Sequence, residues 1–194
     1  MARTIRTCSV AALAAAVLAS QPAVAKRDEP SALSHYVAAR VLDSANASAE
    51  AAAAYARALT AAPDSERVAA RAYREAVEAG DKALALRAAR ALEVRQRLPQ
   101  DARLLLFSDT LARGDWRGAR LWLDRIEEAD GFEFLAPALR AWTFFAARDG
   151  DPLAEPETLS RDGLGSIYLR EQRTLLLLAL KQVDEGLAAA KAQT

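Results

Sequence analysis

Two short stretches decide how this chain is read: Ala79-Gly80-Asp81-Lys82-Ala83-Leu84-Ala85 and Arg113-Gly114-Asp115-Trp116-Arg117-Gly118-Ala119. In each, a Gly-Asp pair breaks a run of helix-forming residues, and a new apolar periodicity opens behind it. One pair opens at Gly80 and the other at Gly114, and the same step back from Gly80 reaches Asn46-Ala47, another turn candidate. The residue five after each turn is small: Ala51, Ala85 and Ala119. Four residues further come Tyr55, Ala89 and Leu123, and then Ala58, Leu92 and Ile126. Four features in register are difficult to obtain by chance.

Outward from these turns, apolar residues recur at three- and four-residue spacing, the signature of helices buried on one face. Alanine makes up about a quarter of the chain, which favours helix. Further breakers stand at Pro63-Asp64, Pro99 and Gly150-Asp151. They leave helices of about 12 to 16 residues, which suggests helical hairpins. The expected class is all-α. Ala51, Ala85 and Ala119 are placed where two helices cross closely, since a small side chain permits that approach.

A helix-turn-helix unit of about 34 residues, with Ala and an aromatic four apart in its second helix, resembles the tetratricopeptide repeat. In the first unit His35, Ala38, Ala39 and Leu42 fall where that motif has Trp, Leu, Gly and Tyr, and Ala51, Tyr55 and Pro63 match its second half. The second unit carries Ala69, Ala72, Tyr73, Ala76, Ala85, Ala89 and Leu92; Tyr73 stands at a position the family keeps small, and Arg97 replaces the closing Pro. The third carries Arg103, Leu106, Phe107, Thr110, Ala119, Leu123 and Ile126. A fourth first helix follows with a two-residue shift, through Leu139, Trp142, Thr143 and Ala146. The resemblance implies a right-handed α-solenoid of about three to four units plus a C-terminal helix pair. Its units span 32–65, 66–99 and 100–133, with a half unit at 134–150, an irregular loop at 151–165 rich in Pro and Gly, and a helical pair at 166–194. In that pair Thr174, Leu177, Gly186 and Ala190 sit near repeat positions.

The N-terminus reads as a secretory signal peptide, residues 1–25: Arg3 and Arg6, an apolar run from Cys8 to Ala19, and Ala23-Val24-Ala25 as a cleavage site. Residues 26–31 form a polar linker. The expected address is exported, periplasmic first and extracellular second. Cleavage removes the single Cys, the single Met and two arginines, leaving a slightly acidic, thiol-free chain. A disulfide framework and a Cys/His zinc site are then excluded. Balanced charge, 26 basic against 26 acidic residues in the whole chain, argues against non-specific nucleic-acid binding. The apolar runs are too short for a membrane span once the leader is gone.

Catalysis finds little support. His35, the single His, falls at an inward helix position and reads as packed, and no phosphate-binding glycine motif occurs. Glu127-Glu128 and Asp149–Asp151 read as solvated surface charge. No cofactor and no metal are expected. The resemblance implies instead a concave groove lined by the first helix of each unit. Its inward positions are Tyr36 and Arg40, Ala70 and Arg74, Leu104 and Ser108, and Arg140 and Phe144. Arginine suits carboxylate or phosphate because its planar fork donates paired hydrogen bonds. The competing reading has these arginines paired with Asp43, Glu75 or Glu78. The family's Lys/Asn clamp for a peptide carboxylate is not matched, since units two to four hold no Asn. The expected function is non-catalytic binding of a protein or peptide partner. The alternative is a structural or assembly subunit, or the N-terminal part of a longer superhelix, self-associating through an exposed C-terminal end.

Overall fold

The computed structural model describes residues 31–128, 131–154 and 164–193, and the expected leader, residues 26–30 of the linker and positions 155–163 of the loop lie outside them. Among the described residues the chain is all-helical, with no strand. The helices are α1 Ala32–Ser44, α2 Ser48–Ala61, α3 Glu66–Glu78, α4 Lys82–Glu93, α5 Gln100–Ala112, α6 Trp116–Glu127, α7 Ala136–Ala147, α8 Leu164–Ala179 and α9 Val183–Lys191. A single 3-10 turn, Glu133–Leu135, leads into α7. Helices α1, α3 and α5 begin at Ala32, Glu66 and Gln100, and α2, α4 and α6 at Ser48, Lys82 and Trp116, the same step each time.

The chemistry of the turns explains this spacing. Gly80 and Gly114 adopt left-handed backbone, φ +70° and +69°. Behind each, two amides return to the end of the preceding helix. Asp81 N donates to Ala76 O at 2.8 Å and Gly80 N to Val77 O at 3.2 Å; Asp115 N donates to Thr110 O and Gly114 N to Leu111 O, both at 2.9 Å. This double closure satisfies carbonyls that would otherwise lack partners. The aspartates then cap the next helix: Leu84 N donates to Asp81 Oδ1 at 3.0 Å and Gly118 N to Asp115 Oδ1 at 2.9 Å. Ser31 and Ser65 cap α1 and α3 in the same way. Asn46 and Lys181 take the same left-handed turn, φ 56° and 65°, with the same pair of returning amides. Gly165, assigned to the loop from sequence, lies inside the first turn of α8.

Each helix packs on its neighbours in the chain, and α2 also touches α4. The pairs α1–α2, α3–α4, α5–α6 and α8–α9 form hairpins; α2 packs on α3 and α6 on α7. Ala51, Ala85 and Ala119 are buried, and so is Gly186, where an added Cβ would meet Leu178 Cδ2 at 2.8 Å. One apolar cluster runs from Ala39 through Tyr55, Tyr73 and Leu92 to Leu106. A second groups Phe107, Ala119, Leu123, Ile126 and Ala136. They adjoin within α5, so the core is a continuous file of small contacts rather than one central mass. Helix α8 packs on α7 through Trp142 Nε1, which donates to Gln172 Oε1 at 2.9 Å.

Candidate functional site

Tyr36 and Arg40 stand one turn apart on α1. Tyr36 is half-buried, its ring set edge-on against Tyr55 with centroids 5.8 Å apart. It also lines a cavity of about 410 Å3, with Leu33 beside it and Val68 and Arg67 from the first turn of α3. Arg40 is exposed and lies 3.9 Å from Asp43, which also sits 3.9 Å from Arg71 of α3. At that length and exposure both contacts are loose pairs. Asp43 thus stands between two guanidinium groups and ties α1 to α3.

Arg74 is exposed on α3, and no carboxylate among the described residues lies within ion-pair distance of it. Ala70, one turn earlier, is half-buried. On α5, Leu104 is half-buried against the second cluster and Ser108 is exposed, its hydroxyl donating to Leu105 O at 2.8 Å. On α7, Arg140 donates to Glu127 Oε2 at 2.6 Å and to Asp124 Oδ1 at 3.2 Å, and only 18% of its side chain is exposed. Its fork is committed to α6. Phe144 is half-buried beneath the Arg120 guanidinium, 5.8 Å from its ring centre, and Arg120 pairs with Asp149.

The arginines expected to act alike therefore divide. Arg140 is an inter-helix clamp, Arg40 is half engaged, and Arg74 faces solvent. The neighbours weighed for them from sequence divide as well. Asp43 is a partner, but Glu75 is buried, 4% exposed, with no ion pair among those described. Burial first, then the nearby Asp43 and Glu78 carboxylates, push the Glu75 carboxyl above its ordinary range, against the pull of Arg74 and Arg71. Tyr55 is fully buried with no hydrogen-bond partner for its hydroxyl, and burial with Asp43 nearby pushes that phenol up to about 12. Tyr73 donates to Asp101 Oδ2 at 2.8 Å. His35 is half-buried.

A second cavity, about 390 Å3, was not anticipated. It lies between α4, α5 and α6, where Arg125 covers the Trp122 ring at 4.6 Å and donates to Glu93 Oε1 at 2.7 Å. The three-residue spacing of Trp122 and Arg125 was visible in the sequence, but Glu93 belongs to another helix and only the fold brings it near. The guanidinium there already holds a ring and a carboxylate, leaving it little capacity for a ligand. Among the described residues no group of three or more His, Cys, Asp or Glu could hold a metal ion, and no helix is long and apolar enough to cross a membrane. No family model matches the chain, and neither does any curated protein or solved structure.

Proposed function

We propose that this protein is an exported, non-catalytic scaffold of tetratricopeptide-like repeats, a right-handed solenoid whose first helices line a groove for a protein or peptide partner. The periodic placement of the helices supports the repeat reading. The observation that carries the binding reading is Arg74: an exposed guanidinium on a first helix with no carboxylate in ion-pair range among the described residues, one first helix away from the loosely held Arg40. Arginine in that state can take a carboxylate or phosphate from a partner without first surrendering a strong internal bond. Tyr36, with Leu33 and Val68, lines a cavity that offers apolar surface near the starts of α1 and α3. Leu104, Ser108 and Phe144 extend the surface, while Arg140 braces it. The site is therefore centred on the first two units.

An envelope pull-down tests this. Arg40→Glu combined with Arg74→Glu reverses charge at two exposed positions and should leave the helical circular dichroism unchanged. The wild-type chain is expected to retain a partner that the double variant loses by at least tenfold, as expected for placing like charges against an acidic ligand. Equal retention by the folded double variant would remove the groove reading.

A further inference from the structure

The two ends of the described array carry complementary halves of one contact. Aligned on their left-handed turn residues, Asn46, Gly80, Gly114 and Lys181, the first, second, third and last hairpins share a register. Their second helices begin at Ser48, Lys82, Trp116 and Val183, and their crossing residues are Ala51, Ala85, Ala119 and Gly186. Twelve, eight and five positions before the turn, α3 places Val68, Ala72 and Glu75, and α5 places Ala102, Leu106 and Asp109. All six are buried. They form one stripe at helical spacing that faces the preceding hairpin, as shown by Asp109, which accepts from Arg90 of α4 at 2.7 Å. In α1 the matching residues are Ser34, Ala38 and Val41, and all are exposed, with Val37 beside them. That face holds no charge, and Val37 and Val41 are 52% and 63% exposed.

The opposite end shows the counterpart. Nine positions past the turn, Tyr55, Ala89 and Leu123 are fully buried, whereas Ala190 on α9 is exposed. Six past the turn, Ala52 is buried and Leu86 and Arg120 are half-buried, whereas Leu187 is 51% exposed. Gln193, just beyond α9, folds back onto α8, donating to Arg170 O and Thr174 Oγ1, and leaves Leu187 and Ala190 open. Thus α1 is a first helix with no helix packed before it, and α9 is a second helix with none packed after it, among the described residues.

We propose that copies of this chain associate head-to-tail, with the Leu187–Ala190 face of α9 in one copy seated on the Val37–Val41 face of α1 in the next. The occupant of each face is a second copy because the contact continues one the chain already makes internally. Both α2 on α3 and α4 on α5 set the second helix of one hairpin against the first helix of the next. A face-to-face pairing of two α1 helices has no such precedent in the molecule. The contact is heterologous, so it can propagate beyond a dimer. Being apolar, it survives salt that screens exposed charges. It depends on the register of the helices and not on the groove, so Arg74→Glu, which changes neither α1 nor α9, should associate as the wild type does.

Sedimentation of the exported chain, from residue 26 on, over a hundredfold concentration range tests it. The average mass is expected to rise with concentration, in low and in high salt alike. Val37→Glu and Leu187→Glu change exposed positions and should fold with unaltered circular dichroism; each alone should sediment as a monomer. Mixed in equal amounts they should form a dimer, since one keeps an intact α9 face and the other an intact α1 face. Val41→Lys replaces Val37→Glu should the latter fail to fold. A wild-type chain that stays monomeric throughout would overturn the proposal. So would single variants that still associate, or a mixture that does not.

Discussion

Glu75 and Asp109 occupy the same place, five positions before a turn, and meet opposite conditions. Asp109 accepts from Arg90 at 2.7 Å and pairs with Arg113 at 3.1 Å. At the positions that match those arginines when the hairpins are aligned on their turns stand Ala56 and Ala79, so Glu75 is buried without either partner. Its carboxyl is raised in the folded state, so between the ordinary carboxyl pKa and the raised one the folded chain binds more protons than the unfolded chain. Stability is therefore greatest on the acid side of that window and falls as pH rises through it. With no arginine to pair with, the carboxylate form of Glu75 is the disfavoured one in the folded chain. Glu75→Gln should raise the melting temperature at pH 7 and flatten the pH dependence, read from thermal melts between pH 4 and 8. A variant that melts lower at pH 7 would show that Glu75 has a charge partner in solution. Nothing on their own helices' apolar pattern distinguishes the two carboxylates, because Arg90 reaches Asp109 from a different helix.

At the scale of elements, the boundaries rest on a few polar contacts. Asp81 and Asp115 each hold an amide at the start of a helix whose partner helix has just closed. Asp81→Ala or Asp115→Ala should lower stability by about 0.5–2 kcal/mol in urea titrations, the usual effect of losing such a cap. Asp64, 96% exposed and paired with Arg95, is the control: Asp64→Ala should change stability by about 0–1 kcal/mol. Equal losses at all three positions would remove the special role of the caps. Gly80, Gly114 and Asn46 announced their turns because few residues accept left-handed backbone cheaply. Gln96, Arg148 and Lys181 adopt it too, with φ 56°, 53° and 65°, and nothing in those side chains signals it. There the returning amides of the helix end, not the residue type, enforce the turn.

Over the whole molecule, order is passed from neighbour to neighbour. The two apolar clusters adjoin within α5, and neither reaches both ends of the array. Damage should stay local in such a chain. Ala51 is fully buried where α1 and α2 cross, and Ala51→Leu should overpack that crossing by about 1–3 kcal/mol. Hydrogen exchange should then quicken in α1, α2 and α3 and remain as in the wild type in α6 and α7. Exchange that quickens uniformly would indicate one cooperative unit instead.

The sequence by itself determined that the chain is helical, where its hairpins turn, and which small residues stand at the crossings. Those properties depend on propensity, capping and spacing within about one helical turn, and their regular recurrence makes them legible. Tertiary structure alone decided which charged groups are free. Arg140 looked like Arg74, yet two carboxylates of α6 hold it while no described carboxylate pairs with Arg74. It also decided which apolar faces are covered: the stripe that α3 and α5 bury is open on α1, and the position that Tyr55, Ala89 and Leu123 bury is open at Ala190 of α9. Pairing and burial depend on what lies opposite a residue, and that is set by helices far away along the chain.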